Sequence, residues 1–166
     1  MFFFSHSRTA FKYSLKYLKP YKNDEVLIPD LNCDTITHCE RDLGLNFIFY
    51  KVDKNFHPIW SDVNSKINKK TIAFMIVNYF GIPISILKAK ELCLSKRIIL
   101  IEDNSHGYKG FLENTELGHF GDFGLSSPRK HLPMKYGGIL HTKKPFNLEL
   151  FNLNKNTNET SNKINF

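Results

Sequence analysis

The feature that most constrains the fold of this chain is a regular alternation of apolar, β-branched runs with amphipathic stretches. The apolar runs predict strands at Glu25–Pro29, Asn46–Val52, Thr71–Tyr79, Arg97–Glu102 and, more weakly, Phe123–Ser126 and Gly138–His141. Several of these runs are apolar throughout, which is typical of strands that are buried on both faces of a parallel sheet.

Between the runs lie stretches with the apolar spacing of helices. The apolar positions are Phe11, Leu15 and Leu18 in the first stretch, Ile36, Cys39 and Leu43 in the second, and Ile86, Ala89 and Cys93 in the third. Pro83 could begin the third helix, and a weaker helix is predicted from Pro58 to Ile67. Alternating strands and helices predict an α/β fold with three layers, in which a mainly parallel sheet carries helices on both faces.

Length and composition limit the classes of protein. The 166 residues suffice for one domain, and 42% hydrophobic with 23% charged residues is an ordinary globular composition. The net charge of +7 is compatible with a nucleic-acid binder. However, the basic residues are scattered and form no dense run with aromatic residues, so we expect no nucleic-acid partner.

The cysteines do not indicate a metal site or a disulfide framework. Cys33, Cys39 and Cys93 are an odd number of thiols, and Cys33, His38 and Cys39 match no standard zinc spacing. We therefore expect reduced thiols, as in a cytoplasmic protein, and no bound metal.

The first residues of the chain do not resemble a signal peptide. The apolar start, Met1–Phe4, is too short for a signal-peptide core, and no apolar run approaches the roughly 20 residues of a membrane span. The last residues are rich in Asn and other polar residues. We expect a soluble, cytoplasmic protein with one domain over residues 1–148 and a disordered polar tail over residues 149–166.

Candidate functional residues follow the predicted strands, because ligands bind at the carboxyl ends of parallel strands. Asp103 ends a strongly apolar strand, where its carboxylate serves either a ligand or a helix cap. Ser126–Lys130 combines hydroxyls with two cations, which is typical of an anion site or of a solvated turn. Ser7 begins the first predicted helix, where a hydroxyl caps the helix and free N–H groups can bind phosphate.

Taken in order, the motifs resemble those of one enzyme family. The series is SRTAF, DEVLIPDLNC, VNYFGIP, LIEDNSHGYKG and GDFGLSSPRKHLPMKYGGIL, over roughly residues 5 to 142. It resembles the DegT/DnrJ/StrS family of fold type I aminotransferases, which depend on pyridoxal 5'-phosphate (PLP). The resemblance implies that this chain is part of the large cofactor-binding domain of such an enzyme.

The resemblance also implies roles for individual residues. Lys130 matches the lysine that binds PLP covalently, which requires a primary amine, and it would also shuttle the substrate proton. Asp103 matches the aspartate that keeps the pyridine nitrogen of the cofactor protonated. His106 matches a position near the cofactor ring. The backbone at Ser7 and Arg8, with Ser126 or Ser127, matches the phosphate-binding cradle.

Some residues depart from the family pattern. Ser7 replaces a glycine of the family motif, and Asn32 and Cys33 stand where an aromatic residue often stacks on the cofactor ring. The segment from Asp122 to Lys130 is slightly shorter than the common form, which leaves open whether Ser126 or Ser127 meets the phosphate.

Three functions follow as alternatives. The resemblance implies transamination of a keto-sugar nucleotide with an amino-acid donor, both small molecules, and it is compatible with a homodimer. Family members also carry a further N-terminal segment and a C-terminal small domain, which we expect to be absent here. The second alternative is therefore a catalytically inactive, truncated remnant of such an enzyme, and the third is an unrelated α/β binding module.

Overall fold

Strands and helices alternate along residues 1–147, which a computed structural model describes apart from the side chains of residues 39–41. The helices are α1 (Ser7–Tyr17), α2 (Asp34–Leu43), α3 (Trp60–Lys66) and α4 (Ile86–Lys96). The strands are β1 (Phe2–Phe4), β2 (Glu25–Pro29), β3 (Asn46–Tyr50), β4 (Thr71–Val77), β5 (Ile99–Asn104), β6 (Phe111–Leu112), β7 (Thr115–Glu116), β8 (Phe123–Ser126) and β9 (Gly138–Thr142). Short 3-10 turns occupy Tyr79–Gly81 and Pro128–Lys130.

Seven of these strands form one sheet in the order β1-β9-β8-β5-β4-β2-β3. The neighbours from β8 through β5, β4 and β2 to β3 are all parallel, and β9 runs antiparallel to both β8 and β1. The predicted mainly parallel sheet is therefore confirmed. The small hairpin β6–β7 was not predicted, because its two-residue strands are too short to show a period.

Two apolar clusters cover opposite faces of the sheet. Phe74 of β4 packs in one cluster with Val63 of α3 and Ala89 of α4. The next residue, Met75, belongs to the other cluster, which contains Phe11 of α1 and Ile36 of α2. Successive side chains of a strand point to opposite faces, so a strand that is apolar throughout can serve both clusters. The predicted helices on both faces are thus confirmed.

Two predicted boundaries shift where the backbone takes a left-handed conformation. The helix predicted to begin at Pro83 begins at Ile86, because Ser85 has φ 57° and cannot belong to a right-handed helix. Arg97, with φ 56°, caps the end of α4, and β5 therefore begins at Ile99.

A buried carboxylate joins the end of β4 to the segment that precedes β8. Glu102 is fully buried, and its oxygens accept hydrogen bonds from the side-chain amide of Asn78 (2.9 Å) and from the backbone N–H groups of Gly118 (2.7 Å), Phe120 (2.8 Å) and Gly121 (3.3 Å). A buried carboxylate is costly unless it is hydrogen-bonded. These donors therefore fix both segments around β5.

The polar tail at residues 149–166 lies outside the described residues, so its disorder and the boundary at residue 148 stay predictions. None of the helices in residues 1–147 has both the length and the apolar character needed to cross a bilayer.

We expect Glu102→Gln to lower the free energy of unfolding by roughly 2–3 kcal/mol, since an amide NH₂ group would face backbone donors that now meet a carboxylate. Urea denaturation measures the change. The matched control is Glu91→Gln on the exposed side of α4, which should change stability by less than about 0.5 kcal/mol. Equal stability of the two variants would contradict a structural role for Glu102.

Candidate active site

A cavity of about 380 Å³ lies where the carboxyl ends of β2, β4, β5 and β8 meet the N-terminus of α1. The segments that follow β2, β4 and β8 and the end of β5 with its loop all contribute to its wall. The lining residues are His6, Ser7, Arg8, Leu31, Asn32, Cys33, Thr35, Ile36, Phe56, Val77, Tyr79, Phe80, Asp103, Ser105, His106, Arg129 and Lys130.

Five of the seven predicted site residues line this cavity. Lys130 ends the 3-10 turn that follows β8, while Asp103 and His106 come from the end of β5 and the loop after it. Ser7 and Arg8 form the first turn of α1. Residues that are up to 123 positions apart in the sequence thus meet at one edge of the sheet.

The other two predicted residues do not line the cavity. The hydroxyl of Ser126 lies 3.2 Å from Nε2 of His141, and the hydroxyl of Ser127 donates to the carbonyl of Gly137 at 3.4 Å. Both serines are buried. In this structure neither hydroxyl is presented to a ligand in the cavity.

Asp103 is held rigidly and keeps one oxygen available. The residue is buried, its Oδ1 accepts a hydrogen bond from the N–H of Ser105 (2.8 Å), and its carbonyl accepts one from the N–H of Asn78 (2.9 Å). Within residues 1–147 its Oδ2 accepts no hydrogen bond. A carboxylate oxygen at a cavity wall suits a cationic N–H of a ligand.

His106 lies in the electrostatic field of both predicted catalytic residues. Burial, and then the positive charge of Lys130, lowers the pKa of His106, and the carboxylate of Asp103 opposes this shift. The lowered pKa favours a neutral imidazole near neutral pH. His106 can therefore contact a ligand without adding a further charge to the cavity.

Aromatic side chains form one wall of the cavity. The ring of Phe80 lies 5.3 Å from that of Phe56 and 6.3 Å from that of His106, and Tyr79 lies 5.3 Å from Phe56. The hydroxyl of Tyr79 donates to the carbonyl of Leu31 at 2.6 Å, and burial raises the pKa of this tyrosine. Sequence reasoning missed Phe56, whose only signal is an aromatic residue within a polar loop.

Cys33 lies in the wall at the position where the family pattern often has an aromatic residue. Its Sγ is 3.1 Å from Oγ1 of Thr35. Hydrogen bonding to Thr35, together with the charge of Lys130, lowers the pKa of this exposed thiol. A ligand ring at this end of the cavity would contact a small polar wall in place of a stacked ring.

The glycine pair Gly137–Gly138 brings the start of α1 against the Lys130 turn. A Cβ on Gly138 would overlap the carbonyl carbon of His6 and the N atom of Ser7, and a Cβ on Gly137 would lie 3.2 Å from the N atom of Arg129. Gly137 also donates its N–H to the carbonyl of Ser5, the residue before His6, at 2.9 Å. Only glycine permits such close backbone approach on both sides.

Two buried polar atoms in the cavity wall have no partner. Oγ of Ser105 and Nε of Arg129 make no hydrogen bond within the described part of the chain. Buried polar groups are nearly always satisfied, so such atoms in a cavity indicate a polar ligand. Neither residue was singled out from the sequence, although both lie in segments that were expected to reach the site.

The chain is similar to known proteins in both sequence and fold. A GDP-perosamine synthase of Escherichia coli O157:H7 is 28% identical over 141 residues, which are 83% of this chain and 39% of that protein. The aminotransferase TlmJ from Streptoalloteichus hindustanus has a TM-score of 0.78 at 23% identity, over 87% of this chain and 40% of its own. An E. coli GDP-4-keto-6-deoxy-D-mannose-3-dehydratase with bound hydrated PLP has a TM-score of 0.76 at 23% identity, over 86% and 39% of the two chains.

The fold is therefore that of fold type I aminotransferases. A model of the DegT/DnrJ/EryC1/StrS aminotransferase family matches residues 4–157, and the chain belongs to that family. The chain spans 32–39% of the length of the curated relatives that it matches.

We expect Gly138→Ala to lower the free energy of unfolding by about 1–3 kcal/mol and to increase hydrogen exchange of the amides in the first turn of α1. The new methyl group would force His6 and Ser7 away from β9. Gly44→Ala is the control, because its Cβ meets only the Lys22 side chain at 3.9 Å and its cost comes from a φ of 64° alone. Unchanged exchange in α1 of the Gly138 variant would refute this contact.

We also expect stability to fall as the pH is lowered from about 6.5 towards 4, partly because of His141. Burial, then the charges of His119 and the N-terminal amine, lowers the pKa of His141 to about 4. Between these two pH values the unfolded chain therefore binds a proton at His141 that the folded chain does not bind. Urea midpoints at pH 7.5 and 5.0 should differ less in His141→Gln than in the wild type, whereas the exposed control His38→Gln should retain the wild-type difference.

Proposed function

We propose that the cavity binds PLP and that Lys130 is the residue that attaches to it covalently. The observation that carries this proposal is the convergence of Lys130, Asp103 and the N-terminus of α1 on one cavity of about 380 Å³. A primary amine reacts with an aldehyde, and a buried carboxylate accepts a hydrogen bond from a pyridinium N–H. The N–H groups at the start of a helix bind phosphate. PLP carries all three of these groups.

The unsatisfied atoms of the wall support the fit to a phosphorylated ring. Oδ2 of Asp103 is available to accept the pyridinium N–H, and Oγ of Ser105 lacks a partner nearby. The first turn of α1 contains no acidic residue, and its N-cap, His6, supplies no side-chain cap. A phosphate dianion would be stabilised there by the helix dipole.

The activity that we infer for the whole enzyme is transamination of a keto-sugar nucleotide by an amino-acid donor. The names of the curated relatives refer to GDP-linked or dTDP-linked sugars. Bound PLP would supply an electron sink for the breaking Cα–H bond. Lys130 would move the proton at the substrate Cα, Asp103 would keep the ring nitrogen protonated, and the aromatic wall of Phe56, Tyr79 and Phe80 would limit the access of water.

We further predict a homodimer in the cytoplasm that binds neither nucleic acid nor a membrane. Residues 1–148 would form part of its large domain. The alternative is a remnant that retains the fold and the cofactor site without turnover. Binding and turnover therefore need separate measurements.

We expect the purified 166-residue protein to acquire a visible absorbance band with PLP and, after borohydride reduction, to carry the label on Lys130. Peptide mass mapping locates the label. Lys130→Ala should lose it, and the control Lys135→Ala should retain it, because Lys135 is exposed and does not line the cavity. Absence of a Lys130 label at saturating PLP would contradict the proposed cofactor site.

Turnover is tested on the PLP-loaded protein. We expect added glutamate to convert PLP to pyridoxamine 5'-phosphate, which chromatography separates from PLP. Asp103→Asn should slow the conversion at least tenfold, since the neutral amide no longer stabilises a protonated ring nitrogen. A protein that carries the label on Lys130 but gives no conversion would favour the remnant.

A further inference from the structure

Arg129, the residue before Lys130, has an unused hydrogen-bonding atom in the wall of the cavity. Its side chain is partly buried, and its Nε is buried without a hydrogen-bond partner in residues 1–147. It also forms no ion pair with a carboxylate in that part of the chain. A guanidinium remains charged at all relevant pH values, so a buried and unsatisfied N–H group is costly until an acceptor binds it.

A second arginine lies at the same end of the cavity. Burial, and then the charges of Arg8 and Arg129, lowers the pKa of His6, which lies between β1 and α1. Both guanidinium groups therefore act on one imidazole beside the N-terminus of α1. This places two cations and a positive helix end around a common region.

The negative charge in the cavity wall acts on other residues than His6. Asp103 is the one carboxylate among the residues that line the described cavity, and its field acts on His106 and Tyr79. Among the described residues, no carboxylate contributes to the shift in the pKa of His6. The Asp103 carboxylate is therefore not among the groups that act on the imidazole of His6.

The hydroxyl groups expected to serve as anion ligands are directed elsewhere. Ser126 and Ser127 use their hydroxyls within the protein, on His141 and on the carbonyl of Gly137. Arg129 is the polar side chain of this turn, besides Lys130, that lines the cavity. Its backbone lies close to Gly137, where an added Cβ would be 3.2 Å from the N atom of Arg129.

We propose that Arg129 binds an oxyanion of the ligand that Lys130 holds, with Arg8 and the start of α1 completing the anion subsite. The identity of the ligand rests on the proposed function. The presence of Arg8 and Arg129 in the cavity wall does not depend on it. The shared chemistry is a phosphate or carboxylate group, which a guanidinium binds through paired N–H donors. The source is either the cofactor phosphate or an anionic group of the substrate.

The test uses the 166-residue protein, its Arg129→Gln and Arg129→Lys variants, and Lys135→Gln as a control with the same loss of charge outside the cavity. Glutamine retains the Cβ and backbone that pack against Gly137, so the turn should stay folded. Thermal unfolding is recorded with and without inorganic phosphate. Absorbance titrations give the dissociation constants of PLP and of pyridoxal, which lacks the phosphate.

We expect inorganic phosphate to raise the Tm of the wild type and of Lys135→Gln but not that of Arg129→Gln. If the cofactor phosphate is the source, Arg129→Gln weakens PLP binding roughly tenfold or more and leaves pyridoxal binding unchanged, with Arg129→Lys between the two. If a substrate anion is the source, PLP binding is unchanged and the affinity for L-glutamate or GDP falls instead. Both results support the subsite.

Equal responses of Arg129→Gln and the wild type to phosphate, PLP, glutamate and GDP would overturn the inference, while labelling of Lys130 would still support the proposed function. Conversely, a phosphate response that depends on Arg129 in a protein that binds no PLP would sustain the anion subsite and refute the cofactor assignment.

Discussion

The close backbone contact at Gly137–Gly138 is the constraint on which the site depends. β9 is antiparallel to β8 and to β1, so its first residues lie at the edge where β8 ends and α1 begins. A side chain on Gly138 would occupy the space of His6 and Ser7. Because Gly138 has no side chain, the N-terminus of α1 meets the turn that carries Lys130. The cavity between them therefore has cations on both α1 and this turn.

The buried carboxylates of β5 divide two tasks between adjacent residues. Glu102 points to one face, where its hydrogen bonds hold the surrounding segments, and Asp103 points to the other, where it lines the cavity. Alternation along the strand makes this division possible. Asp103 shares the cavity wall with Arg8 and Arg129, which is compatible with the proposed ligand that carries a cationic ring and an anionic group.

Much of the fold was predictable because burial leaves a pattern in the sequence. The bounds of Glu25–Pro29 and Phe123–Ser126 were predicted as observed, since each apolar run fills both faces of the sheet. The positions of Lys130 and Asp103 were also predictable. Lys130 follows β8, Asp103 lies near the end of β5, and the carboxyl ends of parallel strands share one edge.

The sequence by itself determined the layers, the parallel strands and the edge at which chemistry could occur. Only the tertiary structure decided that Ser126 and Ser127 are engaged inside the protein and that Phe56 joins the wall. It also decided that Arg129 lines the cavity with an Nε that has no partner in residues 1–147. The physical reason is that periodicity records whether a residue is buried. The direction of a polar side chain depends on which donors and acceptors the neighbouring strands and loops bring within reach.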